Sequence, residues 1–212
     1  GTFKDRHLME HDTFALIEGL TIAGLTVNAE NGWIYIRGEY PLSTNRLINA
    51  IDQTRTAGLL GDDVMGSGKR FDIELRRGAG AYICGEETAL MESIEGFRGE
   101  PRNKPPFPTT HGLFGEPTAV NNPETLLNAA YIVLNGASAY RSVGTEKSPG
   151  TRLFCLSGHV AKPGVYEVAM GTTLGDVIDL AGSATGTTRA ILMGGAAGSF
   201  IPADQLDLPL TQ

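Results

Sequence analysis

Behind Asp12, the apolar residues Phe14, Ile17, Leu20 and Leu25 recur at helical spacing, which predicts a helix over residues 12–28 with Asp12 as its N-cap. After Asn31-Gly32, the run Trp33-Ile34-Tyr35-Ile36 predicts a short strand. Ser43 is placed to cap a second helix reaching about Thr56, with Leu47, Ile48 and Ile51 on one face. A Gly/Asp loop over 58–68 leads to a strand at 70–76, where Phe71, Ile73 and Leu75 alternate with charged residues. Past a glycine loop, residues 86–95 predict a third helix that Gly96 ends. Strands alternating with helices predict a layered α/β fold with a parallel sheet. Ligands of such sheets sit beyond the carboxyl ends of the strands, and the strand–glycine–helix passage over 70–95 is such a place.

The pattern then fades. Residues 97–120 carry five prolines (Pro101, Pro105, Pro106, Pro108 and Pro117), and a loop of this length is functional or disordered. Phe97, Phe107 and Phe114 speak for an ordered one. Asn122 is set to cap the next helix, with Pro123 in its first turn, Glu124 favourable to the dipole and Gly136 at its end. Near Ser148-Pro149-Gly150 the character changes, which predicts one domain over 1–147 and a second over 148–212. Strands at 152–157 and 165–168 precede a short helix capped by Thr172 or Thr173, with Leu174, Val177, Ile178 and Leu180. Another strand follows at 189–193. The order ββαβ predicts a small β-grasp, ubiquitin-like domain whose last strand is not present.

Composition narrows the function classes. The 212 residues hold 28 glycines, about twice the ordinary share of roughly 7%. Such residues serve turns, or let backbone approach a cofactor closely. The net charge of −7 argues against nucleic acid or an anionic membrane surface as partner. No apolar run approaches the length of about 20 residues that spans a bilayer. No signal peptide is visible, and the chain opens on Gly1 rather than Met, so its start is expected to lie upstream. Cys84 and Cys155, far apart, make neither a disulfide framework nor a zinc or iron–sulfur motif, and a reducing, cytoplasmic setting is the default. The four histidines are scattered, and no metal site is expected.

Three constellations could carry chemistry. Gly78-Ala79-Gly80, running through Tyr82 and Gly85 to Glu86, Glu87 and Thr88, would let a planar or phosphorylated ligand approach. By itself it also reads as a tight strand–helix turn with two acids compensating a helix dipole. In Arg102-Asn103-Lys104-Pro105-Pro106-Phe107-Pro108, prolines fix an aromatic ring near a lysine. This suits an adenine beside a phosphate or ribose, or equally a hydrophobic anchor for the loop. Asn121-Asn122 offers amides and free N–H groups at a helix start, for a flavin edge or for ordinary capping.

Taken together, the run GAGAYICGEETALMESIEG, then PRNKPPFP, then PTAVNNPETL, with the opening GTFKDR and the segment IRGEY, strongly resembles the NADH-binding flavoprotein subunit of respiratory complex I. That family includes the diaphorase subunits of NAD-reducing hydrogenases and NAD-dependent formate dehydrogenases. The resemblance covers essentially the whole chain. It implies an FMN-binding α/β domain followed by an SLBB-type β-grasp module. Tyr82, Gly85, Glu86, Glu87, Asn121, Asn122 and Thr125 fall on positions that line the flavin or the dinucleotide. Lys104 and Phe107 fall on the NADH side with Tyr82 and Glu87, Phe107 stacking on adenine. The implied reaction is hydride transfer from NADH to flavin N5, then single-electron steps to an iron–sulfur cluster, with no residue of the chain as nucleophile or general acid. Glu86 and Glu87 would place negative charge near the flavin, favouring departure of electrons and release of NAD⁺.

The resemblance further implies a quinone-reducing complex, partner subunits including one with a [2Fe–2S] cluster, and a cytoplasmic position on the inner side of a membrane. The family's glycine-rich flavin loop, upstream of GTFKDR, and its cysteine-rich [4Fe–4S] domain, downstream of the β-grasp module, both lie outside this sequence. Neither Cys84 nor Cys155 replaces the cluster ligands. The chain is therefore expected to hold part of the flavin pocket and no cluster, and to be inactive alone. Three other readings stand beside the leading one: a hydrogenase or formate dehydrogenase diaphorase, a non-catalytic docking module, and a related membrane electron-transfer subunit.

Overall fold

A first helix, α1 (Lys4–His11), precedes the predicted one and had no signal in the apolar periodicity. The computed structural model describes residues 3–211. It divides into two units: Leu8–Ala130, and the chain from Tyr131 onward together with the segment up to His7.

In the Leu8–Ala130 unit, α2 (Thr13–Thr26) starts where Asp12 accepts a hydrogen bond from the Ala15 N–H at 3.2 Å. Leu16 and Ile17 face the core, whereas Phe14 points outward. Strands β1 (Asn31–Ile36) and β2 (Asp72–Arg77) pair in parallel, from Asn31 opposite Asp72 to Ile36 opposite Arg77. Phe71, 1% exposed, leads into β2 and packs against Gly24 of α2. A Cβ added to Gly24 would stand 2.2 Å from its ring, and one added to Gly32 2.8 Å from it. The fold here is thus mixed α/β with a parallel sheet.

Helix α3 (Pro41–Thr56) begins two residues before the expected cap. Pro41, with its preset φ, opens the helix. Ser43 is instead buried inside the first turn, donating to the Glu10 carboxylate at 3.1 Å. Leu47 and Ile51 are buried, but Ile48 is 47% exposed. One residue along a helix is a rotation of roughly 100°, enough to carry Ile48 off the core face. Arg55 fastens α3 to β2, reaching the Asp72 carboxylate at 2.8 Å and the Ile73 carbonyl at 2.7 Å. Helix α4 (Glu87–Glu95) ends at Gly96 as expected.

Helix α5 (Pro123–Asn135) ends at Gly136, and α6 (Ala137–Arg141) follows. In the second unit, β3 (Thr151–Leu156) and β4 (Gly164–Ala169) form an antiparallel hairpin, and α7 (Leu174–Leu180) packs Val177 against Val168 and Leu210. Strand β5 (Ala190–Met193) is not the last: after Gly194-Gly195 the chain turns back into β6 (Ser199–Pro202), antiparallel to it. Strands β5 and β6 form a two-stranded sheet of their own, separate from that of β3 and β4. Only four residues long, β6 has too little alternation to register as a strand. Residues 206–210 then return beside the start of α7, where the Leu174 N–H donates to the Leu208 carbonyl and the Leu210 N–H to the Thr172 carbonyl.

Thr173, one of the two expected caps, makes a capping box with Asp176. T173A is expected to lower the stability of this unit by about 1 kcal/mol, with T173S close to wild type. Urea unfolding followed by circular dichroism checks this, and an unchanged midpoint would show that the cap is redundant. Among the described residues, no helix is long and apolar enough to cross a membrane.

Candidate functional site

At the carboxyl end of β2 the chain enters Gly78-Ala79-Gly80. A Cβ on Gly78 would stand 2.2 Å from the Tyr35 hydroxyl, and one on Gly80, whose φ is +86°, would stand 2.6 Å from a Glu39 carboxylate oxygen. Only glycine fits this turn against β1 and the residues that follow it. Gly38, Glu39, Arg77, Gly78 and Ala79 line a cleft of about 500 Å³, where both parallel strands end. Arg37 pairs with Glu39 at 2.6 Å. The Tyr35 hydroxyl meets Ser93 of α4 at 2.9 Å, and burial above all holds it protonated, above its ordinary range.

Residues 82–85 form a single turn of 3-10 helix. Tyr82 is 60% exposed and Cys84 is buried. Nothing lies within 4 Å of where a Cβ on Gly85 would stand, so backbone faces open space there. Glu86 then caps α4. Its Oε2 accepts from the Thr88 N–H at 2.9 Å, the Ala89 N–H at 2.9 Å and the Thr88 hydroxyl at 2.5 Å. Its Oε1 accepts from Lys104 Nζ at 3.3 Å, and the same ammonium is bonded to Glu87. Burial raises the Glu86 carboxyl, but the bonds from Thr88, Ala89 and Lys104 together outweigh it and hold the group below its ordinary range. Hydrogen bonding to Glu87, then to Glu86, raises Lys104 against the opposing effect of burial. With one lysine between two carboxylates, the trio carries a net charge of −1 rather than the −2 of a bare acidic pair.

The proline-rich segment is held by Arg102. Its guanidinium reaches Glu92 at 2.5 Å, Glu95 at 2.6 Å and the Gly112 carbonyl at 3.0 Å, and its N–H donates to the Thr88 hydroxyl at 2.8 Å. Glu95 also accepts from the Phe114 N–H at 2.8 Å. The three phenylalanines do not order this segment by burial: Phe97, Phe107 and Phe114 are all exposed, Phe107 by 57%. The arginine, buried Leu113, the Thr118 hydroxyl that accepts from the Leu113 N–H at 2.9 Å, and the contact of the Phe114 ring with Trp33 fix the segment. Phe97 and Phe114 instead border a second cleft, of about 350 Å³, with Glu95, Arg102, His111 and Gly115.

The structure thus brings together Glu86, Glu87 and Lys104, with Tyr82 and Gly85 on the adjoining turn and Phe107 three residues beyond Lys104. Asn121, Asn122 and Thr125 gather at a different helix start, that of α5. There Asn122 Oδ1 accepts from the Glu124 N–H at 3.0 Å, and the Asn122 carbonyl accepts from the Thr125 N–H at 3.0 Å. Asn121, Asn122 and Thr125 are exposed, and Glu124 is buried. Sequence reasoning included Thr88 and Arg102 in its motifs but gave neither a role of its own, and it missed the cleft at Gly38 and Glu39. Glu92 and Glu95, three apart on one helix face, were a signal for a cation. Cys84 and Cys155 are in no disulfide, and among the described residues no group of three or more His, Cys, Asp or Glu could hold a metal ion.

Residues 1–131 match the Nuo51 FMN-binding domain, and residues 153–195 match the SLBB domain. The chain is 46% identical over 211 residues to an NADH-quinone oxidoreductase subunit of Rhizobium meliloti (strain 1021), covering 98% of this chain and 50% of that protein. It is 45% identical over 211 residues to NADP-reducing hydrogenase subunit HndC of Solidesulfovibrio fructosivorans, covering 98% and 43%. A crystal structure of NAD⁺-reducing [NiFe]-hydrogenase in the H₂-reduced state superposes with a TM-score of 0.91 at 43% identity, covering 100% of this chain and 36% of that one. The chain spans about half the length of the curated relatives it matches. It belongs to the Nuo51 FMN-binding domain family, with an SLBB domain following in the same polypeptide.

Proposed function

We propose that this chain is the FMN- and NADH-binding part of an NADH dehydrogenase flavoprotein subunit of the complex I kind. The nucleotide domain would occupy residues 1–147 and the SLBB domain 148–212. The observation that carries the proposal is the cluster of Glu86, Glu87 and Lys104 at the start of α4, beside exposed Tyr82 and open Gly85, in a chain of this family. These residues fit a flavin nucleotide. Gly85 leaves a face where a flat ring can lie on backbone. Asn121 and Asn122 present amides that can donate and accept at a ring edge, and the N-terminus of α5 suits an anion.

When bound, FMN supplies a hydride acceptor that passes electrons on singly. The protein's share is alignment of two rings and exclusion of competing reactions, which requires no nucleophilic side chain. Tyr82, Gly85, Glu86, Glu87, Asn121, Asn122 and Thr125 would line the flavin. Lys104, Phe107, Glu87 and Tyr82 would meet NADH, with Phe107 against the adenine. Because Lys104 is already shared by two carboxylates, a dinucleotide phosphate competes with them for it, which keeps NAD⁺ from being held too tightly.

Electrons would leave to iron–sulfur clusters, including a [2Fe–2S] cluster of a partner subunit, with the assembly on the cytoplasmic face of a membrane. A diaphorase role in a hydrogenase is the second reading, favoured by the nearly equal identity to the HndC subunit. The test adds FMN to the purified chain, follows quenching of flavin fluorescence, then adds NADH without oxygen. Quenching with bleaching of the visible flavin band supports the proposal. Folded protein that binds no FMN, both as this chain and within a full-length subunit, overturns it and leaves a docking module.

A further inference from the structure

The flavin-side carboxylate and the dinucleotide-side loop are far apart in sequence, and one buried hydroxyl touches both. Thr88 is 2% exposed on the first turn of α4. Its hydroxyl donates to Glu86 Oε2 at 2.5 Å and accepts from the Arg102 N–H at 2.8 Å. A hydroxyl has one proton to give, and here it goes to the carboxylate, while an oxygen lone pair takes the loop amide. Lys104, two residues beyond Arg102, closes the ring by returning to Glu86 Oε1 at 3.3 Å. The circuit runs Glu86, Thr88, Arg102, Lys104 and back to Glu86.

We infer that Thr88 is a positioning residue that sets the register of the Lys104–Phe107 loop against the Glu86 carboxylate. The inference rests on the function proposed above. Ordinary capping does not require it, because the Thr88 and Ala89 N–H groups already satisfy the carboxylate as an N-cap. The hydroxyl adds the link to the loop. Removing it leaves the Arg102 N–H without its acceptor and lets Lys104 and Phe107 drift together. Glu86, also placed on the flavin side, loses this one donor but keeps the Thr88 and Ala89 N–H groups and Lys104, and Tyr82, Gly85, Asn121 and Asn122 are untouched.

The experiment compares T88V, nearly equal in shape, and T88S, which keeps the hydroxyl, in the FMN-loaded holoenzyme with NADH as the varied substrate. T88V is expected to raise the KM for NADH about tenfold, the scale of one lost buried hydrogen bond, at nearly unchanged kcat and FMN content. T88S stays close to wild type. An unchanged KM in T88V overturns the inference, as does an equal loss in kcat with KM constant. Should T88V not fold, hydrogen exchange of T88S decides: wild-type protection at the Arg102 amide supports the hydroxyl link, and its loss overturns it. Wild-type holoenzyme that fails to oxidise NADH sinks the proposed function instead, a result separable because the exchange readout needs no activity.

Discussion

Phe71→Ala is expected to lower the stability of the Leu8–Ala130 unit by about 4 kcal/mol, the middle of the range for a buried aromatic truncated to alanine. The ring is 1% exposed and lies in one core with Leu16, Ile17, Leu47, Ile51 and Ile73. The cost of such a change depends on how far the neighbours can relax into the space. Here two of the walls are the backbone at Gly24 and Gly32, which have no side chain to swing inward. The cavity should therefore stay open. For a domain of this size the melting temperature would fall on the order of 10 °C. Thermal unfolding monitored at 222 nm checks this, and a loss under about 1.5 kcal/mol would mean that α2 moves bodily onto the sheet.

Arg102→Ala should have the largest effect on activity. The guanidinium holds Glu92, Glu95 and the Gly112 carbonyl at once, with only 25% of its side chain exposed. Removing it leaves two neighbouring carboxylates three residues apart without their shared cation, and frees the segment that carries Lys104 and Phe107. Misplacing substrate-binding groups by about 1 Å can cost roughly a hundredfold in rate. A fall of that order in kcat/KM for NADH is expected in the holoenzyme, with FMN retained. Arg102→Lys should recover only part of it, because an ammonium cannot span two carboxylates and a carbonyl with the same planar fork. Steady-state NADH oxidation is the measurement, and a kcat/KM within threefold of wild type would show that the loop is fixed by other contacts.

The elements legible in the sequence were those whose signals are local. Asp12, Gly96 and Thr173 announce helix ends through bonds made within one turn, and Phe71 with Ile73 announces a buried strand face by alternation. Ser43 misled because a serine inside a helix resembles a cap when the proline two residues earlier is not weighed. Ile48 misled because an apolar residue was assigned by type rather than by its angle around the helix. In the candidate site, the meeting of Glu86, Glu87 and Lys104 follows a long excursion of chain, and only the joint motif hinted at it. Glu92 and Glu95 on one helix face called for a cation, but nothing local showed that Arg102 supplies it. Its partners lie seven and ten residues back, across a loop without periodicity. The exposed phenylalanines were the more conspicuous residues, but only Phe114, whose ring meets that of Trp33 at 5.7 Å between centroids, ties the loop to the sheet.

The close seating of Phe71 on Gly24 and Gly32 also constrains how this chain can vary. No side chain can enter at either glycine while the ring is present, and a smaller residue at position 71 would remove the reason for both glycines. The three positions form a single unit of substitution. Among related sequences they should change together or not at all, and an alanine at position 24 should accompany a smaller residue at position 71.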